Sequence, residues 1–156
     1  MHGFPLLLVE DLQDDVFLVR RAFASAGLKH TVFDVEDGAQ AIEYLCGKGK
    51  YADRNAYPIP RLIIADLKMP RVSGFDLIKW MRADGYARLI PVIVMSASSL
   101  PEDVFRAYDL GANAYMVKPT QYKALELLMR TIAEFWDAGE KPAIESSGLA
   151  VTNCSH

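Results

Sequence analysis

Cysteine is scarce in this chain, with only Cys46 and Cys154 among 156 residues. The pair lacks metal-type spacing, which argues against a zinc module, and two thiols are too few for a disulfide scaffold. Reduced thiols in a reducing compartment are therefore expected. Basic charge is not in excess either: 17 Lys and Arg stand against 20 Asp and Glu, a net charge of −3. Without a basic excess there is no electrostatic footprint for nucleic acid. Long hydrophobic runs are missing as well. The short apolar run from Leu6 to Val9 meets Glu10 and Asp11 at once, whereas a signal peptide or a membrane span needs a longer apolar core. His2, His30 and His156 are scattered, and none looks like a phosphohistidine site. The absences point to a cytoplasmic protein that contacts neither membrane nor nucleic acid directly.

What the chain does have is alternation. Half of its residues are hydrophobic and a quarter charged, ordinary for a globular protein of one domain's length. Short apolar runs at Leu6–Val9, Thr31–Val35, Leu62–Ala65, Pro91–Met95 and Ala114–Val117 are separated by stretches with helical spacing. Val16, Val19 and Phe23 make one such face; Phe75, Ile78 and Met81 make another; Leu125, Leu128, Ile132 and Trp136 make the last. Five strands alternating strictly with five helices predict an α/β fold, a doubly wound five-stranded parallel sheet with helices on both faces. Gly27 and Gly111 stand where helices should end, and Pro101 with Glu102 and Asp103 should open a helix, with Ser99 as its cap. Residues 47–60 read as a long connection. Periodicity is lost near Ala138, so the folded domain is expected over 1–137 and a flexible tail over 138–156.

The third apolar run ends in an odd place: Leu62, Ile63, Ile64 and Ala65 lead straight into Asp66. In an open parallel sheet, ligands bind beyond the carboxyl ends of the strands. Glu10 and Asp11 follow the first run, Asp66 the third, Ser96 ends the fourth, and Lys118 with Pro119 follows the fifth. All belong to one edge. Three carboxylates so close together repel unless a cation intervenes, and oxygen-only donors suit Mg²⁺. Asp66 could then keep one oxygen free as a nucleophile while Lys118 and Ser96 hold a phosphoryl group, which is most of what phosphoryl transfer needs.

The stretches LLLVED (6–11), LIIADLKMP (62–70) with Gly74 beyond, VIVMSAS (92–98) and GANAYMVKP (111–119) together resemble the receiver domain of bacterial two-component response regulators. The resemblance runs from about Leu6 to Phe135. It implies the (βα)5 flavodoxin-like receiver fold, with Asp66 as phosphoacceptor and Mg²⁺ held by Glu10, Asp11, Asp66 and the backbone carbonyl of Lys68. It further implies that Ser96 and Lys118 contact the phosphoryl group, and that Tyr115 is a switch aromatic answering to Ser96. The long connection, IKWMR (78–82) and EFW (134–136) look like the phytochrome-linked subgroup of single-domain regulators.

A sensor histidine kinase or phosphotransfer protein would be the donor and a downstream protein the target. A contact or a homodimer would use the face of the fourth helix, fifth strand and fifth helix, with Val104, Tyr108, Leu125 and Met129 as candidates. About twenty residues follow the last helix, too few for a DNA-binding effector. Lys68 is expected to make a salt link beside the site. Two other readings stand beside this one. A receiver-like scaffold that no longer takes phosphate is the first. An aspartate-nucleophile phosphatase is the second, although it would want an aspartate where Lys68 stands.

Overall fold

In the computed structural model, residues 3–83, 85–144 and 154 are described. Five strands, β1 (Leu6–Val9), β2 (Val32–Val35), β3 (Leu62–Ala65), β4 (Val92–Ser96) and β5 (Ala114–Val117), alternate with α1 (Gln13–Ser25), α2 (Gly38–Cys46), α3 (Gly74–Ala83), α4 (Pro101–Leu110) and α5 (Tyr122–Ala138). The sheet is parallel throughout, in the order β2-β1-β3-β4-β5. That is the doubly wound flavodoxin-like fold expected from the alternation.

Strand alternation divides the core in two. Leu6, Leu8, Leu62, Ile64, Ile93 and Met95 face α1 and α5, where Val16, Val19, Phe23, Leu125, Met129 and Ile132 meet them. Leu7, Val9, Ile63, Ala65, Val92 and Val94 face the other way, onto Tyr44, Leu45, Leu77, Ile78, Met81 and Ala107 of α2, α3 and α4. The central strands are thus apolar on both sides, because helices cover both sides. Leu125 and Met129, expected on an interaction face, are core residues instead. One stripe of α5 faces the core along its length, and both residues, four apart, fall on it with Ile132 and Ala133.

The connections are built more tightly than their composition suggests. Residues 47–60 hold a 3-10 turn at Gly49–Ala52, and Tyr51 and Tyr57 pack with Tyr44 and Phe33. Arg54 donates to the carbonyls of Tyr44 and Leu45, both at 2.8 Å, and so places a cation on the last turn of α2. Ser98, not Ser99, tends the start of α4. Its hydroxyl accepts from the Leu100 N–H at 3.3 Å and donates to Asp103 at 2.5 Å, since Leu100 rather than Ser99 is the residue flanking the first turn.

The expectation of reduced thiols is overturned. Cys46 and Cys154 form a disulfide, with Cα atoms 5.6 Å apart. The chain beyond α5 turns back along the amino end of the sheet instead of leaving it: Ile144 is buried in the core, and the Arg61 guanidinium donates to the Pro142 carbonyl. A sequence separation of 108 concealed their meeting, because sequence spacing says nothing of where a returning segment lands. The rest of the expected tail, 145–153 with 155–156, lies outside the described residues, as does His2. His30 is a core residue, edge-on to Phe4 at 4.4 Å and with Nε2 3.1 Å from the Asp137 carboxylate. No helix among the described residues is long and apolar enough to cross a membrane.

Candidate functional site

Strand register builds the site. Val9 of β1 pairs with Ala65 of β3, so the next residues, Glu10 and Asp66, leave the sheet side by side. The ladder runs one bond further, with the Asp66 N–H on the Val9 carbonyl and the Glu10 N–H on the Val35 carbonyl, both at 3.0 Å. At the other edge Ser96 pairs with Val117, and the Lys118 N–H reaches the Ser96 carbonyl at 2.8 Å. Short strands buried on both faces therefore act as rigid mounts for polar side chains at their ends.

Glu10, Asp11 and Asp66 each offer a carboxylate oxygen within 4.8 Å of the others. Lys118 Nζ stands among the acids, 2.7 Å from Glu10 Oε2, 2.8 Å from Asp15 Oδ2 and 3.2 Å from Asp66 Oδ2. Asp66 is held at its other oxygen by the N–H of Leu67 at 2.7 Å. Gly74 closes in from behind, where a Cβ would lie only 2.1 Å from the Asp66 carbonyl oxygen. Any side chain there would push α3 away from the strand end that carries Asp66.

The charges do not balance. Burial pushes the Glu10 carboxyl up to about 7, and the neighbouring Asp66 adds to this, against the bonds from Lys118 and Leu12. Burial works against the charge of Lys118 too, but hydrogen bonds to Asp15 and Glu10 outweigh it and hold the ammonium well above the usual lysine range. One ammonium therefore stands against four carboxylates, bonded to Glu10, Asp15 and Asp66, with Asp11 beside Glu10 and Asp66. A divalent cation fits both the surplus charge and the all-oxygen donor set, and Mg²⁺ is the metal that such a site takes.

Ser96 is buried at 2 % exposure, and its hydroxyl accepts from the Ser98 N–H at 3.1 Å. The Tyr115 hydroxyl donates to the Ser98 carbonyl at 2.8 Å, two residues beyond Ser96, and its N–H donates to the Tyr108 hydroxyl at 3.1 Å. Tyr115 is thus tied to the loop that Ser96 begins, not to the Ser96 hydroxyl. Lys68 lies in the loop after β3 with its side chain exposed. Among the described residues it makes no ion pair, so the expected salt link is not there: the loop carries the side chain outward, while Lys118 takes the acids.

Two participants escaped the sequence reading. Asp15 lies in the first turn of α1, where an acid is ordinary on helix-dipole grounds alone, and nothing in the sequence set it apart. Arg71, with a left-handed φ of 63°, forms a two-bond pair with Asp37 at 2.7 and 3.1 Å. Asp37 also caps α2 by accepting from the Gln40 N–H at 2.8 Å. The pair fastens the β3–α3 loop to the start of α2.

Residues 6–130 match the response regulator receiver domain family. The chain is 30 % identical over 131 residues to the response regulator Rcp1 of Synechocystis, covering 84 % of this chain and 87 % of that one. Rcp1 has also been solved in a Mn²⁺-bound form, which superposes with a TM-score of 0.79 at 30 % identity, over 90 % of this chain and all of that one. The phosphorylated cyanobacterial phytochrome response regulator RcpA superposes with a TM-score of 0.82 at 33 % identity, over 91 % of this chain and all of that one. RPA3017, a response regulator in red light signalling of R. palustris, gives 0.85 at 31 % identity, over 90 % of this chain and 99 % of that one. Oxygen donors gathered at the carboxyl edge of a five-stranded parallel sheet and the match along most of its length lead to one conclusion: the chain belongs to the response regulator receiver domain family.

Proposed function

We propose that Asp66 accepts a phosphoryl group from a histidine of a sensor kinase or phosphotransfer protein, and that the product signals by a protein contact. The observation that carries this is the carboxylate of Asp66 at the end of a buried strand, with an ammonium at 3.2 Å and carboxylate oxygens of two more acids within 4.8 Å. An Asp66 oxygen attacks phosphorus in line, the P–N bond to the donor imidazole breaks, and its electron pair leaves with the imidazole. Glu10, Asp11, Asp66 and the backbone carbonyl of Lys68 would hold Mg²⁺, which supplies charge neutralisation for the transferring oxygens. Asp66 is the most loosely held of the three partners of Lys118, so Nζ is the cation free to follow the new phosphoryl oxygens. Ser96 takes another of those oxygens, and Tyr115, through the Ser98 carbonyl, moves with the loop that Ser96 begins. The chain would thereby assist both its own phosphorylation and its dephosphorylation.

The output face in this reading comprises α4, β5 and α5, where Phe105, Tyr108, Val117, Leu127 and Phe135 are exposed large apolar or aromatic side chains. They, together with Val104, replace Leu125 and Met129 as candidates for contact with a downstream protein or a second copy. Phosphorylation acts there as a population shift. Kinship with RcpA, Rcp1 and RPA3017 favours a phytochrome-linked kinase as donor, acting in the cytoplasm.

Intact-mass spectrometry after incubation with acetyl phosphate and Mg²⁺ tests the reading. One added phosphoryl group in the wild type and none in Asp66→Asn is the expected result. An adduct on both proteins, or on neither, would sink it; sustained turnover would point to a phosphatase instead.

A further inference from the structure

The opposite end of the sheet carries a second site, built of cations. Arg61, Arg82, Arg88 and Lys141 line a cavity of about 270 Å³, and one carboxylate, Glu140, lines it with them. The local excess is three positive charges in a chain whose net charge is −3. Arg82 is locked in place: its guanidinium donates to the carbonyls of Gly111, Arg88 and Ile90 at 3.0, 3.2 and 3.0 Å and to Asn113 Oδ1 at 2.9 Å. Every one of these acceptors is neutral. Its charge is therefore oriented but not compensated, and burial pushes its pKa below the ordinary arginine value. Arg61 likewise gives its guanidinium bond to a carbonyl, that of Pro142. Among the described residues no carboxylate pairs with Arg61, Arg82 or Arg88. The remaining wall is apolar, with Trp136, Ile90, Pro91 and Ile144.

We propose that this cavity, at the amino end of the sheet, binds a small organic anion: an oxyanion head on the guanidinium groups of Arg61, Arg82 and Arg88, and one flat apolar ring against Trp136. Guanidinium groups match the planar geometry of carboxylate and phosphate oxygens and also stack on rings. The volume is below the roughly 300–1,000 Å³ usual for drug-sized ligands, which limits the body to about one ring. The site shares no residue with the carboxylate cluster around Asp66 and does not depend on phosphoryl transfer there.

Phenyl phosphate, benzoate, phenol and inorganic phosphate are the probes, read by Trp136 fluorescence in a Trp80→Phe background. EDTA is present so that the acidic end takes no part. Saturable binding of phenyl phosphate or benzoate at millimolar concentration, at least about fivefold tighter than phosphate or phenol alone, is the expected result. The tighter of the two assigns the natural head as phosphate or carboxylate. Arg88→Gln removes an exposed guanidinium without loosening the fold and should weaken binding at least about fivefold; adding Arg61→Gln should weaken it further. No saturation below about 10 mM, equal binding of phosphate and phenyl phosphate, or an unchanged affinity in Arg88→Gln would each overturn the proposal.

Discussion

The two ends of the sheet carry opposite charge, and they are built in opposite ways. At the carboxyl end, Glu10, Asp66 and Ser96 stand on or directly after buried strands, and Lys118 follows the edge strand. At the amino end, Arg82 comes from a helix, Arg88 and Arg61 from connections, and Glu140 and Lys141 from the returning tail. The first end borrows its rigidity from the ladder. The second obtains it from hydrogen bonds such as the four that Arg82 makes to neutral oxygens. A site mounted on strands follows from register, whereas a site mounted on connections exists only once those connections have folded.

Removing the ammonium shared by the acidic cluster should break the comparison most severely. Lys118→Met leaves Glu10, Asp15 and Asp66 without their shared ammonium, and phosphorylation by acetyl phosphate should slow by about 10²-fold or more. Rapid-quench measurement of the adduct checks this; a rate within threefold of wild type would show that Lys118 only balances charge at rest. The amino end should respond instead to its covalent tie. The Cys46–Cys154 bond closes a loop with a sequence separation of 108, so Cys154→Ser or full reduction should cost on the order of 2–4 kcal/mol in urea unfolding. Equal midpoints for oxidised and reduced protein would mean that Ile144 and Pro142 hold the tail unaided.

Smaller effects sharpen the contrast. Asp15→Asn removes one of the three acids bonded to Lys118, and Mg²⁺ affinity should weaken about fivefold, on the order of 1 kcal/mol; calorimetric titration measures it. An unchanged affinity would place Asp15 outside the field felt by the metal. The weakest effect concerns the Asp37–Arg71 clasp. Burial would raise the Asp37 carboxyl, but the bonds from Arg71 and Gln40 win and hold it below its ordinary value of 3.8. A depressed folded pKa means that the clasp stabilises fully above the unfolded pKa and loses its contribution as pH falls through the folded one. Asp37→Asn, which still caps α2, should therefore be slightly less stable than wild type at pH 7, the loss kept small because Arg71 is exposed and its charge is screened by solvent. The gap should close toward pH 2. A gap that persists in acid would assign the loss to something other than the ion pair.

Much of this molecule is legible in its sequence because the relevant forces are local or periodic. The run Leu62–Ala65 reads as a strand covered on both faces, and the strict alternation of five such short runs with helical stretches leads to a parallel sheet. Once the sheet is parallel, every residue just after a strand lies on one edge, which is why Glu10, Asp11, Asp66, Ser96 and Lys118 could be placed together on that edge without coordinates. Asp15 was missed because nothing in a helix's first turn distinguishes an acid that serves the dipole from one that reaches a lysine 103 residues away. Ser98 rather than Ser99 braces the start of α4 for a similar reason: Leu100 is the residue that enters the helix, a matter of one residue's dihedrals.

By itself, then, the order of apolar and polar residues determined the strands, the helices, the sheet's class and the acidic end, since period and strand direction suffice for all of them. Only the tertiary structure decided that Leu125 and Met129 turn inward, that Arg54 seals α2, that Cys46 meets Cys154, and that four cations from separate segments surround one cavity. These are long-range meetings. They depend on how far each connection reaches and where it packs, and neither quantity is carried by any short stretch of sequence.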